Sequence, residues 1–126
     1  QANGAAVLLI THNLGVVRAF AKRVYVMYAG TIVEESDVAT LFSSPKHPYT
    51  EALLKAVPQL SASKLPTGID GNIPDYLDPP RGCRFSPRCP HAMPVCDKPV
   101  SMVRMGDGSS VRCTLYTAED PLAVNI

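Results

Sequence analysis

Residues Leu8 to Glu34 read LLITHNLGVVRAFAKRVYVMYAGTIVE, and this stretch decides the fold. An apolar run from Ala5 to Ile10 stops at the polar group Thr11-His12-Asn13. Apolar residues return at Leu14, Val17, Ala21 and Val24, which is helical spacing. A second apolar run, Val24 to Tyr28, follows, and Ala29-Gly30 turns the chain into Thr31-Ile32-Val33. The pattern predicts strand, polar switch, helix, strand, tight turn, strand, an α/β arrangement. Asn13 or Thr11 is expected to cap the helix, because either side chain accepts from its free amides. His12 then falls where a strand gives way to a helix, at the sheet edge where α/β proteins bind ligands. A neutral imidazole there accepts from one partner and donates to an anion. The competing reading is a buried, satisfied histidine at a strand end.

Working outward, Glu34-Glu35-Ser36-Asp37 reads as a polar break. Ser36 or Asp37 is expected to cap a short helix through Phe42, with Val38, Leu41 and Phe42 on one face. Ser43-Ser44-Pro45 ends it, since proline restricts the residue before it. Pro48 suits the first turn of a further helix with Leu53, Leu54 and Val57 as its apolar stripe, closed by Pro58. Residues 59–82 lack periodicity and carry prolines, including the pair Pro79-Pro80. They read as a semi-rigid linker in which Ile69, Ile73 and Leu77 need something to pack on. The expected organisation is 1–58, a 59–82 linker, and 83–126.

Composition narrows the classes. Lys plus Arg number 12 and Asp plus Glu 11, so the net charge of +1 offers no electrostatic case for nucleic-acid binding. No apolar run approaches the roughly 20 residues that cross a bilayer. Twelve prolines, three phenylalanines and no tryptophan imply a modest core and much irregular chain.

The opening stretch, with Ala21-Lys22-Arg23 and the pattern V-x-V-M-x-x-G-x-I-V-E over Val24–Glu34, resembles the segment after the Walker B strand of ABC transporter ATPases. The resemblance covers about the first 45 residues. It makes His12 the switch histidine, Asn13 the occupant of a usual aspartate position and Gly30 the hairpin turn. It implies that, in the intact protein, His12 touches the ATP γ-phosphate, organises the attacking water and meets a partner subunit's D-loop. The chain carries no G-x-x-x-x-G-K-[ST] loop, no strand ending in Asp-Glu and no LSGGQ-like signature. Those parts cradle phosphates and organise Mg2+. The resemblance therefore implies the carboxy-terminal part of a nucleotide-binding subunit, expected to be inactive alone. The start at Gln1 just before an apolar run fits that expectation.

SSPKHPYTEALLKAVPQL, residues 43–60, resembles the P-x-H-P-Y-T-x-x-L-L-x-x-x-P stretch of dipeptide, oligopeptide and nickel importer ATPases, which are bacterial and archaeal. Without that resemblance it is a proline-capped amphipathic helix.

All four cysteines, Cys83, Cys89, Cys96 and Cys113, lie beyond residue 82, spaced C-x5-C-x6-C-x16-C. A segment this short and proline-rich needs a disulfide or metal staple. Two disulfides suit a secreted protein, whereas the cytoplasm keeps thiols reduced. Zinc takes four thiolates at about 2.3 Å but favours closely spaced pairs, which are missing here. An iron–sulfur cluster accepts ligands from longer loops. The pattern C-x-F-x-P-R-C-P-x-A-x-x-x-C…C, matched at Cys83, Phe85, Pro87, Arg88, Cys89, Pro90, Ala92, Cys96 and Cys113, resembles the carboxy-terminal motif of the same importer ATPases. That resemblance implies a [4Fe–4S] cluster on the four cysteines, with zinc as the alternative. His91 is a substitute ligand or an exposed side chain. Arg84, Arg88 and Arg112 offset cluster charge or form a solvated rim.

The expected fold is thus an α/β fragment of an ABC nucleotide-binding domain, strand–helix–hairpin plus short helices, followed by a small irregular cysteine-rich module. The implied parent hydrolyses ATP with Mg2+, pairs with a second ATPase subunit and drives transmembrane permease subunits from the cytoplasmic face of the cell membrane. A stand-alone zinc- or iron–sulfur-binding regulatory module is the alternative. Exposed sheet edges would let the fragment associate with copies of itself.

Overall fold

The computed structural model describes residues 4–57, 68–73, 75 and 77–116. Helix α1 spans Leu14–Phe20, and the Asn13 side chain caps it by accepting the Val16 N–H at 3.2 Å. Strands β1 (Arg23–Tyr28) and β2 (Thr31–Asp37) form an antiparallel hairpin with a register shift between Val26 and Met27. Alternation sends Val26 and Tyr28 inward and leaves Tyr25 and Met27 exposed. Ala29 and Gly30 join the strands at φ 47° and 80°. A two-residue hairpin needs left-handed backbone at both positions, which explains the glycine but leaves the alanine strained.

Asp37 ends β2 and caps α2 (Val38–Ser43), accepting the Thr40 N–H at 2.9 Å. Helix α3 (Pro48–Lys55) begins with its proline and seats by its first turn, where Pro48 and Thr50 are buried. Leu53 packs on the core, whereas Val57 is 37% exposed, so the apolar stripe is only partly used. A second hairpin, β3 (Val103–Arg104) and β4 (Ser110–Val111), docks on the first through Glu34↔Val111 and Glu35↔Ser110. The sheet runs β1-β2-β4-β3, antiparallel throughout.

Val26, Tyr28, Val33, Leu41 and Phe85 make the main core. Tyr28, Tyr49 and Phe85 form its aromatic centre, with ring centroids 4.6 to 5.4 Å apart. Phe85 comes from the cysteine-bearing segment, so that segment shares both core and sheet with residues 23–55.

Three expectations need correction. Ala5–Ile10 is not a strand: it pairs with no strand among the described residues, and Val7, Leu8 and Ile10 are at least 77% exposed. An isolated strand leaves its backbone groups unpaired, so an apolar run alone does not make one. Glu34–Asp37 is not a break but the second half of β2, paired with β1 throughout and with β4 at Glu34 and Glu35. Among the described residues Ile73 and Leu77 stand 62% and 95% exposed, while Ile69 does join the core. The linker and helix-end readings at 58–67, 74 and 76 lie outside the described residues. No helix among the described residues is long and apolar enough to cross a membrane.

Candidate functional site

The site is built around the turn from α2 into α3. Glu34 lies on β2 but is 1% exposed. Its carboxylate accepts the Lys46 N–H at 2.7 Å and the His47 N–H at 2.9 Å, one on each oxygen. This fixes His47 as the cap of α3, where its Nδ1 accepts the Tyr49 N–H at 3.0 Å. The ring stands 6.0 Å from Phe85, centroid to centroid.

Tight local turns bring the cysteines round. A short 3-10 helix, Ser86–Arg88, runs between Cys83 and Cys89. A second, Pro94–Asp97, carries Cys96. The Cys83 N–H donates to the Cys96 carbonyl at 2.8 Å, which ties the two loops together. That closeness requires Gly82, because a Cβ there would meet the Cys96 carbonyl oxygen at 2.0 Å. Cys113 arrives from the end of β4.

All four cysteines line one pocket, together with His47, Pro48, Ser86, His91, Thr114 and Leu115. Its volume is about 10 Å³, room for roughly one water. The four sulfurs are free thiols. Burial pushes the Cys83 and Cys89 thiols up and Cys113 up to about 11. Cys96 Sγ meets the Met93 N–H at 3.4 Å and Thr114 Oγ1 at 3.2 Å. Burial lowers His47 to about 4, so its imidazole is neutral.

The cysteines converge, yet no group of three or more His, Cys, Asp or Glu among the described residues is gathered closely enough to hold a metal as it stands. The donor chemistry of the pocket's lining is that of a four-thiolate centre. His91 is exposed on the pocket rim.

The three arginines, read from the sequence as offsetting cluster charge or as a solvated rim, each bond backbone carbonyls. Arg84 donates to the Ala29 carbonyl at the hairpin turn. Arg88 donates to the carbonyls of Asp70 (2.8 Å) and Ile69 (2.7 Å) and to the Tyr28 hydroxyl (3.3 Å). Arg112 donates to the carbonyls of Ile32 (3.1 Å) and Val100 (3.0 Å). They are clamps between the cysteine segment and the rest of the chain.

His12 is exposed, just before the Asn13 cap, and stands apart from the cysteine pocket's lining. Sequence reasoning missed His47 and Glu34 as site residues. Nothing in the spacing links positions 34 and 47 to cysteines beyond 82; the only local sign was a His-Pro step opening a helix.

A small α/β unit with a cysteine-lined pocket beside a His-Pro-Tyr helix start is the class that fold and site define. Residues 33–96 match the family described as "Oligopeptide/dipeptide transporter, C-terminal region", and the chain belongs to it. It is 46% identical over 123 residues to the Oligopeptide transport ATP-binding protein AppD of Bacillus subtilis (strain 168), covering 94% of this chain and 37% of that protein. A putative peptide import ATP-binding protein of Brucella abortus (strain 2308) is 46% identical over 110 residues, covering 86% and 33%. The probable peptide ABC transporter ATP-binding protein y4tS of Sinorhizobium fredii (strain NBRC 101917 / NGR234) is 45% identical over 116 residues, covering 90% and 33%. The chain spans about a third of the length of these relatives. The resemblance to peptide-importer ATPases is borne out, and the stand-alone regulatory module is not favoured.

Proposed function

We propose that this chain is part of the ATP-hydrolysing subunit of an ABC importer for di- or oligopeptides. The observation that carries this reading is the 46% identity to an oligopeptide transport ATP-binding protein across nearly the whole chain. ATP and Mg2+ would bind largely through the rest of the subunit. Its partners would be a second ATPase subunit and the permease, at the cytoplasmic membrane face. His12 would act as the switch histidine toward the γ-phosphate. Its exposure, beside the uncovered apolar run Val7–Ile10, fits a half-site completed by other parts of the protein.

The four cysteines would hold a [4Fe–4S] cluster, for which free, converging thiols are the support. Zinc is the second reading, since four cysteines are also a zinc donor set. Either centre would supply folding energy where the apolar core is thin.

Fusing the chain behind the matching amino-terminal part of the Bacillus subtilis relative tests the ATPase reading. The fusion is expected to hydrolyse ATP, and His12→Ala to reduce the rate at least about 100-fold, the scale of losing a group that acts in the transition state. The 126-residue chain alone should show none. Tight Mg2+-dependent ATP binding by the chain alone, or a fully active His12→Ala fusion, would overturn it.

A further inference from the structure

Among the described residues, three buried side-chain atoms lack a hydrogen-bond partner: Ser36 Oγ, His47 Nε2 and Thr50 Oγ1. Of these residues, only His47 forms part of the cysteine pocket's wall. It is 1% exposed.

The tautomer of this ring follows from its side-chain hydrogen bond to the start of α3. Nδ1 accepts the Tyr49 N–H, so Nδ1 carries the lone pair. In a neutral imidazole the proton then sits on Nε2. His47, a wall residue of the pocket that the four cysteines line, therefore carries a buried N–H donor with no acceptor among the described residues. A neutral thiol is a weak acceptor. A metal-bound thiolate or a cluster sulfide carries negative charge and accepts far better. An orphaned buried donor in an otherwise well-bonded turn marks the place of an acceptor that arrives with a ligand.

We propose that His47 is a positioning residue for the metal centre of the cysteine pocket, donating its Nε2–H to a metal-bound sulfur. This rests on the cysteine reading given above. Such a bond spreads the sulfur's charge and holds the centre against proton-driven release, as partners of metal ligands commonly do. It also couples the pocket to the start of α3 and, through Glu34, to the sheet.

Two substitutions separate this role from simple helix capping. Asparagine caps a helix well, and its short side chain removes the reach of Nε2. Glutamine caps poorly but places an N–H near the position of Nε2. The reduced chain would be loaded anaerobically with ferrous iron and sulfide, and in parallel with cobalt(II) alone. Sulfur-to-metal absorption would then be followed during challenge with a chelator. His47→Asn should release metal about 10-fold faster or more, the usual scale for losing a ligand's partner, and His47→Gln should stay close to wild type. If both variants release equally fast, or Asn behaves as wild type while the chain still loads, the proposal falls and the cysteine reading stands. If the wild type takes up neither iron–sulfur nor cobalt, both fall together.

Discussion

The Oε2 atom of Glu34 accepts the backbone N–H of His47 at 2.9 Å, joining the middle of β2 to the first residue of the α3 cap. The other carboxylate oxygen takes the neighbouring Lys46 N–H. A buried carboxylate with two backbone donors orients the whole His-Pro-Tyr turn.

Glu34→Gln should therefore be costly although it is isosteric. One acceptor becomes an NH2 group facing a buried N–H. Leaving a buried donor unpaired costs about 1–3 kcal/mol, more where a charged partner is lost. Urea unfolding should report a loss of about 2–3 kcal/mol, and a variant as stable as wild type would contradict this role.

Gly82→Ala tests the closeness of the two cysteine loops. The added methyl would also lie 2.5 Å from the Lys98 carbonyl oxygen, so backbone must move. Overpacking of this kind costs about 1–3 kcal/mol, occasionally more. The matching readout is faster reaction of Cys83 and Cys96 with a thiol reagent in the metal-free chain.

Ala29→Asn should stabilise. Ala29 sits at φ 47°, where a residue with a Cβ is strained by about 1–2 kcal/mol and asparagine is tolerated. A gain of about 0.5–1 kcal/mol is expected by thermal or urea unfolding. Arg84 binds the Ala29 carbonyl, not its side chain, so that clamp survives.

Acid stability should depend on Asp107. Burial raises its pKa, but hydrogen bonds from Lys46 and Ser109 outweigh that and hold it at about 2. Lys46 Nζ lies 2.8 Å away. The folded value is below the unfolded one of about 3.9. Its contribution is thus complete above about pH 4 and lost as the pH falls toward 2. Asp107 is partly exposed, so solvent screening keeps the effect small. Asp107→Asn should flatten this limb of the stability curve relative to wild type. An unchanged limb would show that the pair does nothing.

Local chemistry made parts of this fold legible. The Asn13 and Asp37 caps, the Ala29-Gly30 turn and the Pro48 helix start each follow from a side chain acting on its nearest backbone. The apolar run Ala5–Ile10 misled because a strand depends on neighbours, and hydropathy does not record whether they are there. Glu34 misled in the opposite way. A charged residue reads as surface until its two distant donors are known. The β3–β4 hairpin is only two residues long on each side, too short for any periodicity. The cysteine set was visible by composition, but His47 reaches that pocket only through the tertiary path from Glu34.

The docking of β4 on β2 has a consequence for the order in which the chain assembles. β1, β2 and the helices form from near neighbours, and such contacts are quick to close. β4 must find β2 across most of the chain, and ordering that loop comes before any gain from the pairing. Cys113 lies just past β4, so it reaches the other three cysteines only after this late step. The four-sulfur pocket is then expected to close after the β1–β2 hairpin and to open before it. Slow hydrogen exchange at Val26 and Val33, with faster exchange at Val111, would trace that order.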